Sequence, residues 1–289
     1  MKLKNRAKIS TEELRDLFIS HANKLSYAKL DKKNKKYCGW VSDFGLKFKD
    51  EKKIELKLDQ ENDRFLLFVL AVVWSRTGQW ENAAYFVSYL IHHGAPKNTK
   101  EYWKILKNCN KEREIKKVSA PKTQADASMK SKSSDSLKKE GPRSAISFRK
   151  DIFKSINILA RKWDDIENEL KKLRGQKSNA DGWIGFMNYL RGIEGLGGGK
   201  KKIFMKIPLI LRELRCQGWK EIPGEFCCVV DARVIKACEE VDIELSKHSS
   251  NINGLIRNSK KVYAKFGDLY DIPLFAYKDL KKYASISEK

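Results

Sequence analysis

Residues 152–175, IFKSINILARKWDDIENELKKLRG, carry the clearest helical pattern in the chain. Apolar side chains recur there in steps of four and three, at Ile152, Ile156, Leu159, Trp163, Ile166, Leu170 and Leu173. This spacing places them on one face of a long helix, and Gly175 is a suitable residue to end it. A coiled coil would show the same pattern, but because this short segment stands among other helical segments, we predict a core helix.

The segments on both sides of this helix also favour helices. Helical spacing or uninterrupted apolar sequence predicts them at 11–25, 62–75, 81–92, 100–108, 183–190 and 201–215. Thr11 is expected to cap the first of them, and Pro208 is expected to kink the last or to mark its start. Tyr37–Leu58 alternates instead and is interpreted as a short hairpin or an irregular region. The fold class is therefore predicted to be all-α.

Charge and composition divide the chain into three parts. Its 289 residues include 60 Lys+Arg and 37 Asp+Glu, a formal net charge of +23. Residues 111–147 are rich in Ser, Lys, Ala and Pro and lack aromatic side chains, which predicts a basic low-complexity linker or insert. It separates an N-terminal helical region, 1–110, from a C-terminal domain, 148–289. The large positive surplus points to a polyanionic partner, and nucleic acid is the commonest one.

The sequence also carries expectations about location and cofactors. The opening residues, MKLKNRAKIS, lack the apolar region of a secretory signal, so an intracellular location is expected, cytoplasmic or nucleoid, or nuclear in a eukaryote. The longest apolar run, Phe65–Trp74, is about half as long as a bilayer span, so no membrane partner is expected. The six cysteines show no zinc-ligand spacing with the four histidines, which predicts reduced thiols and no metal.

Residues 192–207, GIEGLGGGKKKIFMKI, suggest a phosphate-binding turn. A Walker A loop is excluded by spacing, because Glu194 takes the place of its first Gly and Lys201 that of its Ser or Thr. A dinucleotide fingerprint would need Gly at Lys200 and a preceding strand. What remains is a helix-hairpin-helix whose backbone N–H groups hold a phosphate, or a plain loop with solvated lysines.

About thirty residues later, Asp231 precedes a further helical pattern, Val234, Ala237, Cys238 and Val241. It is therefore predicted to lie at a helix N-terminus, where its simplest role is that of an N-cap.

Three local segments resemble the helix-hairpin-helix DNA glycosylase superfamily, and in particular its archaeal 8-oxoguanine DNA glycosylase branch. Residues 201–207 are similar to its Lys-Thr-hydrophobic-hydrophobic-Phe-x-Ile helix start. Residues 222–234 are similar to its Ile-Pro and Val-Asp-x-Arg-Val elements, and 271–283 to its Ile-Pro-Pro-Leu-x-x-Asp-x-x-x-Trp. The resemblance covers 150–289 and extends, less specifically, to 60–92. The sequence departs from the family at three base-pocket positions, at or near Ala84, at Met205 and at Tyr283.

The resemblance implies an all-α protein of two helical subdomains, with a helix-hairpin-helix motif and an active-site cleft between them. It implies a base-excision-repair glycosylase and AP lyase, a monomer that removes an oxidised purine, most often 8-oxoguanine, from DNA without a cofactor. Lys201 would be the catalytic nucleophile, with Lys200 as the fallback, and Asp231 the catalytic carboxylate. The DNA contacts would be Gly197, Gly199, Lys200, Lys202 and Arg233. The base pocket would include Met205, Asp279 and Tyr283.

The chemistry explains why an amine and a carboxylate are needed. The amine attacks C1′ of the deoxyribose, expels the base and forms a Schiff base whose β-elimination cuts the strand. Neighbouring ammonium groups at Lys200 and Lys202 disfavour a third charge and so increase the fraction of free amine at Lys201. Asp231 would orient or deprotonate that amine and stabilise positive charge developing on the sugar.

Two other functions are compatible with the same residues. The chain could be a non-enzymatic nucleic-acid-binding protein in which the hairpin holds the backbone and Asp231 is only a cap. It could also be a monofunctional glycosylase for another damaged base, in which Asp231 activates water and Lys201 contacts a phosphate.

Overall fold

The computed structural model describes residues 9–25, 28, 30–39, 55–77, 83, 87, 102–108, 150–176, 179–193, 206–246 and 251–284. Over these residues the chain forms eleven α-helices and one two-stranded antiparallel sheet, so the predicted all-α class is confirmed. The helices are α1 (Thr11–His21), α2 (Glu61–Thr77), α3 (Tyr102–Lys107), α4 (Lys150–Arg161), α5 (Trp163–Arg174), α6 (Ala180–Gly192), α7 (Ile207–Cys216), α8 (Ala232–Glu240), α9 (Ile252–Phe266), α10 (Ile272–Phe275) and α11 (Tyr277–Ala284). No described helix combines the length and hydrophobicity that crossing a bilayer requires.

The chain is divided into two compact units. The terminal unit combines Met1–Gly39 with Ile222–Lys289, and the central unit is Trp40–Glu221. The domain boundaries that composition suggests, after residues 110 and 147, both fall within the range of the central unit and stay a prediction. The basic segment 111–147 lies outside the described residues.

Helix α2 forms the middle of the central unit. Every side chain from Phe65 to Val73 is buried, as expected for a helix that is apolar on all sides. Phe65 and Phe68 both meet the ring of Trp163 edge to face, with centroids 5.3 and 5.2 Å apart. This geometry is the favoured one for aromatic pairs. Helix α2 also packs against α3, α4 and α7, so the core of the central unit forms around α2.

The long helix predicted over 152–173 is in fact two helices, α4 and α5, separated at Lys162. The backbone of Lys162 departs from helical geometry (φ −96°, ψ 1°), and its N–H is shared between the carbonyls of Ile158 and Leu159 at 3.1 and 3.2 Å. The break is a single tight turn, so the apolar face continues across it. The described members of that face are all buried: Ile156, Leu159, Trp163, Ile166, Leu170 and Leu173.

The remaining helices of the central unit follow the sequence pattern closely. Helix α3 lies within the predicted 100–108, and α6 extends the predicted 183–190 by a turn at its N-terminus, where Asn179 Oδ1 accepts the Gly182 N–H at 2.7 Å. Helix α7 begins at Ile207 with Pro208 in its first turn, so this proline starts the helix and does not kink it. Of the helix predicted over 81–92, Ala83 and Val87 alone are described, both helical and buried.

A buried ion pair joins α2 to α5. Arg64 and Glu167 are 3% and 2% exposed, and the Arg64 guanidinium donates to both carboxylate oxygens, with Nε at 2.9 Å from Oε2. Arg64 Nη1 also donates to the Leu58 carbonyl at 2.9 Å, and Lys171 Nζ lies 3.2 Å from Glu167 Oε1. Bidentate pairing and these further partners satisfy charges that would otherwise be costly to bury.

We expect Glu167→Gln to lower the free energy of unfolding by about 3–5 kcal/mol, because it leaves the buried Arg64 without a counter-ion. Urea-induced unfolding measures this loss. The exposed Glu169→Gln, which removes a carboxylate 3.8 Å from Lys172, is the matched control and should change stability by less than about 1 kcal/mol. If the two variants were equally stable, the Arg64–Glu167 pair would not carry the stability of the core.

Helix α1 opens the terminal unit with a capping box. Ser10 Oγ accepts the Glu13 N–H at 3.1 Å, and the Glu13 carboxylate accepts the Ser10 N–H at 2.7 Å. The expected N-cap, Thr11, is therefore wrong by one residue, because the reciprocal bond to Glu13 is available only to the residue three positions before it. Helix α1 buries Leu14 and Phe18 and packs against α9, α10 and α11.

The sheet of the terminal unit is a minimal hairpin. Strands β1 (Leu30–Asp31) and β2 (Lys36–Tyr37) pair antiparallel, with Leu30 opposite Tyr37. Asp31 Oδ1 accepts the N–H groups of Lys33 and Asn34, and these bonds hold the turn between the two strands. This hairpin ends where the alternating segment Tyr37–Leu58 begins, and residues 40–54 of that segment lie outside the described part of the chain.

Candidate functional site

The segment from Ile222 to Asp231 forms the approach to helix α8 in the terminal unit. Pro223 starts a 3-10 turn, Gly224–Phe226, in which the Phe226 N–H donates to the Pro223 carbonyl at 3.0 Å. Gly224 packs directly on the ring of Tyr263 in α9, and a Cβ at this position would lie 2.7 Å from Tyr263 Cε2. A side chain at position 224 would therefore have to displace the Tyr263 ring.

Two buried side chains hold the rest of this segment in place. Ser259 Oγ accepts the Cys228 N–H at 2.9 Å, and Asp271 Oδ1 accepts the Val229 N–H at 2.9 Å. Ser259 and Asp271 are 0% and 2% exposed, so both bonds are shielded from water. Buried backbone N–H groups need such partners, and these two fix the course of the chain just before Asp231.

Asp231 is the N-cap of α8, as the sequence predicts. Its backbone is extended (φ −89°, ψ 179°), and Oδ1 accepts the N–H groups of Arg233 at 3.1 Å and Val234 at 3.3 Å. The Asp231 carbonyl accepts the Ile235 N–H at 2.8 Å, which begins the helical bonding. The half-buried carboxylate is thus held in one orientation by the end of the helix.

Arg233 and Asp279 lie together beside α8. Arg233 Nη2 donates to Asp279 Oδ2 at 2.9 Å, and the guanidinium carbon lies 4.1 Å from the ring centroid of Phe275. Lys282 Nζ approaches the other oxygen of Asp279 at 3.5 Å. Segments 222–234 and 271–283, which separately resemble glycosylase motifs, are therefore in contact within the terminal unit. The DNA-binding role of Arg233 and the base-pocket role of Asp279 stay predictions.

Tyr283 packs against the C-terminal end of α1. Its ring stacks on His21 with centroids 4.7 Å apart and planes inclined by 21°, and Lys24 Nζ lies 4.7 Å from the Tyr283 ring centroid. Its base-pocket role stays a prediction.

The other predicted site residues, Gly197, Gly199, Lys200, Lys201, Lys202 and Met205, lie outside the described residues, as does Ala84. The chain is described again from Lys206, whose Nζ lies 4.5 Å from the ring centroid of Trp74. Among the described residues, no group of three or more His, Cys, Asp or Glu side chains is arranged to hold a metal ion.

Sequence reasoning missed the supporting residues Ser259 and Asp271. Their partners are 31 and 42 positions away along the chain, so no local spacing indicates either bond. Because a carboxylate is costly to bury, the sequence favours an exposed Asp271 side chain and gives no sign of its buried bond to Val229. Ser259, inside α9, is equally without a local signal.

Burial raises the pKa of the Cys238 thiol to about 12, and the nearby carboxylates of Asp271 and Glu239 act in the same direction. We expect Cys238 to resist alkylation by iodoacetamide near pH 8, whereas the half-exposed Cys216 reacts; peptide mass spectrometry separates the two sites. Since the unfolded thiol ionises near its ordinary value, the free energy of unfolding should fall as pH rises from about 9 towards 12. Equal labelling rates for the two cysteines in the native protein would contradict the burial.

Comparison of the chain with protein-family models, with curated proteins and with solved structures found no match. The fold defines a helical protein of two compact units, and the glycosylase resemblance rests on the residues quoted above.

Proposed function

We propose that this protein is a DNA glycosylase with AP lyase activity that removes an oxidised purine, 8-oxoguanine first among them. The proposal includes a helix-hairpin-helix motif and an active-site cleft between two helical subdomains. The proposed reaction uses no metal and no organic cofactor, and the partner is DNA with a damaged base.

One observation carries the proposal: Asp231 caps α8 at the end of a segment that is pinned by Ser259 and Asp271. Asp271 opens the second segment that resembles the family, and Arg233 and Asp279 join the same two segments a second time. The two segments that resemble the glycosylase family, about forty positions apart in the chain, thus form one cluster. The net charge of +23 adds support, because a nucleic-acid partner offers the matching polyanion.

In the proposed reaction the Lys201 amine forms a bond to C1′ while the glycosidic bond to the base breaks, and the base leaves with the bonding electrons. The attached nitrogen then loses a proton and forms a second bond to C1′ as the C1′–O4′ bond breaks and O4′ takes up a proton, which opens the sugar ring and gives the Schiff base. Loss of a proton from C2′ then drives β-elimination, in which the C3′–O bond breaks and the 3′ phosphate leaves. Asp231 accepts the proton of the amine or orients it, and its negative charge stabilises the cationic sugar. Because two N–H groups already hold the carboxylate in one orientation, little conformational entropy is lost when it acts in the reaction.

Borohydride trapping on a duplex with a single 8-oxoguanine tests the proposal. We expect the wild-type protein to give a covalent protein–DNA adduct and free 8-oxoguanine, and an undamaged duplex to give neither. A duplex with an abasic site should also be trapped, because the lyase step needs no base. The lyase proposal would be overturned by the absence of an adduct with both the damaged and the abasic duplex.

The N-cap geometry of Asp231 favours a second candidate, a non-enzymatic nucleic-acid-binding protein. Asp231 Oδ1 is already engaged by two backbone N–H groups, as in a structural cap. In that case the duplex would bind without base release. Base release without strand cleavage would instead identify a monofunctional glycosylase, so the same reaction separates all three functions.

A further inference from the structure

Helix α9 carries an unusual distribution of charge. Its fifteen residues include Arg257, Lys260, Lys261 and Lys265 but no acidic residue. Arg257, Lys260 and Lys265 are exposed and Lys261 is half-exposed, while the opposite side of the helix is buried. We call these four residues the α9 cation face. Because Lys260, Lys261 and Lys265 follow Arg257 by three, four and eight residues, all four lie on one side of the helix.

The α9 cation face lacks carboxylate partners, whereas several other lysines on the described surface have them. Within the described residues, none of its four cations lies within 4.0 Å of a carboxylate oxygen. The exposed lysines Lys36, Lys162 and Lys172 pair with Asp268, Asp165 and Glu169, and the half-exposed Lys107 and Lys281 pair with Asp164 and Glu240. Lys261 Nζ instead donates to the Glu244 carbonyl at 2.9 Å, and Lys265 has only a longer-range attraction to Glu12. The positive charge of the α9 cation face is therefore not neutralised by a neighbouring carboxylate.

The dimensions of this face fit a nucleic-acid backbone. From Arg257 to Lys265 the helix rises by about 12 Å, at about 1.5 Å per residue. One strand of duplex DNA presents a phosphate for every ~3.4 Å of helix axis, so the face spans about three to four nucleotides. An anionic backbone that binds there would release about one counter-ion for each cation used.

The same helix supports the segment that leads to Asp231. Ser259, between two cations of the face, accepts the Cys228 N–H, and Lys260 Nζ lies 5.8 Å from the ring centroid of Phe226. The α9 cation face is thus on the element that positions the candidate site, in the same compact unit.

We propose that the α9 cation face binds the phosphate backbone of duplex DNA beside the site that contains Asp231. The position beside a catalytic site rests on the proposed glycosylase function, whereas the duplex contact rests on charge and spacing alone. Contacts of this kind do not read sequence, so the face holds damaged and undamaged DNA equally.

Binding of a fluorescein-labelled undamaged duplex, measured by anisotropy between about 50 and about 200 mM KCl, tests the proposal. In the variant Arg257→Gln/Lys260→Gln/Lys261→Gln/Lys265→Gln, we expect the slope of log Kd against log salt to fall by about 3.6, and Kd at about 100 mM KCl to rise at least about tenfold. The matched control is Lys36→Gln/Lys107→Gln/Lys162→Gln/Lys172→Gln, which changes the net charge equally, from +23 to +19. Because those four lysines have carboxylate partners, the control slope should fall by less than about 1.

Equal slopes for the α9 variant and its control would overturn the proposal. The proposal would also be overturned if the α9 variant bound duplex DNA as well as the wild-type protein does but lost binding to single-stranded RNA or to phosphatidylserine vesicles. Lys260→Gln/Lys265→Gln, at two exposed positions, provides a second variant, in which the slope should fall by about 2. Since undamaged DNA requires no lesion chemistry, failure of borohydride trapping would overturn the glycosylase alone. Trapping with unchanged slopes would overturn the α9 contact alone.

Discussion

The Lys201→Gln variant is expected to form no borohydride-trapped adduct and to release no 8-oxoguanine, under conditions in which the wild-type protein does both. The physical reason is that an amide nitrogen cannot attack C1′ or form an iminium ion, so the covalent pathway is lost completely. Denaturing gel electrophoresis of the trapped complex, together with chromatographic detection of the free base, measures the two losses.

Lys200→Gln and Lys202→Gln are the matched controls for Lys201→Gln, because each removes one positive charge from the same run of three lysines. Both should keep the adduct and bind the duplex somewhat more weakly. An adduct that survives Lys201→Gln and disappears in Lys200→Gln would move the nucleophile by one residue. An adduct that survives all three substitutions would contradict a nucleophile in this run of lysines.

Asp231→Asn is expected to slow base release by about 10²–10⁴-fold, the usual contribution of a positioned general acid or base. Stability should change little, because asparagine is as good an N-cap as aspartate and its side-chain oxygen can accept the same Arg233 and Val234 N–H groups. Single-turnover base release and thermal unfolding, measured on the same preparation, separate the two effects.

Asp231→Ala completes this experiment, because it removes both the carboxylate and the cap. It should lose activity to the same extent and should also lose about 1 kcal/mol of stability. If Asp231→Asn released base at close to the wild-type rate while Asp231→Ala was destabilised, Asp231 would be a structural cap only. That result would favour the non-enzymatic binding protein or a different catalytic carboxylate.

The helices could be predicted because their causes are local. A helix that is apolar on all sides, such as Phe65–Val73, can keep its side chains away from water only inside a core. The repeat through Trp163 and Leu170 fits one face of a helix. The break at Lys162 could not be predicted, since a single tight turn keeps the apolar face in register across it. The capping residue was misassigned for a related reason: Ser10 and Thr11 are both good caps, and only the reciprocal bond to Glu13 distinguishes them.

The candidate site was predicted in part. Asp231 at a helix N-terminus follows from the apolar spacing after it and the cap preference of aspartate. The partners that hold its surroundings, Ser259 and Asp271, could not be inferred because they are distant in sequence. The same is true of the pairing of Arg233 with Asp279 and of Arg64 with Glu167, the latter across 103 positions.

By itself, the sequence determined the helical class, the position of most described helices, the excess of positive charge and the cap at Asp231. These properties depend on side-chain periodicity, on capping preference and on composition, each of which acts within a few residues or over the whole chain. The tertiary structure alone decided that residues 1–39 join 222–289, so that α1 packs against α9, α10 and α11. It also decided which buried N–H groups meet which side chains, because a buried polar group must find its partner in space, wherever that partner lies in the chain.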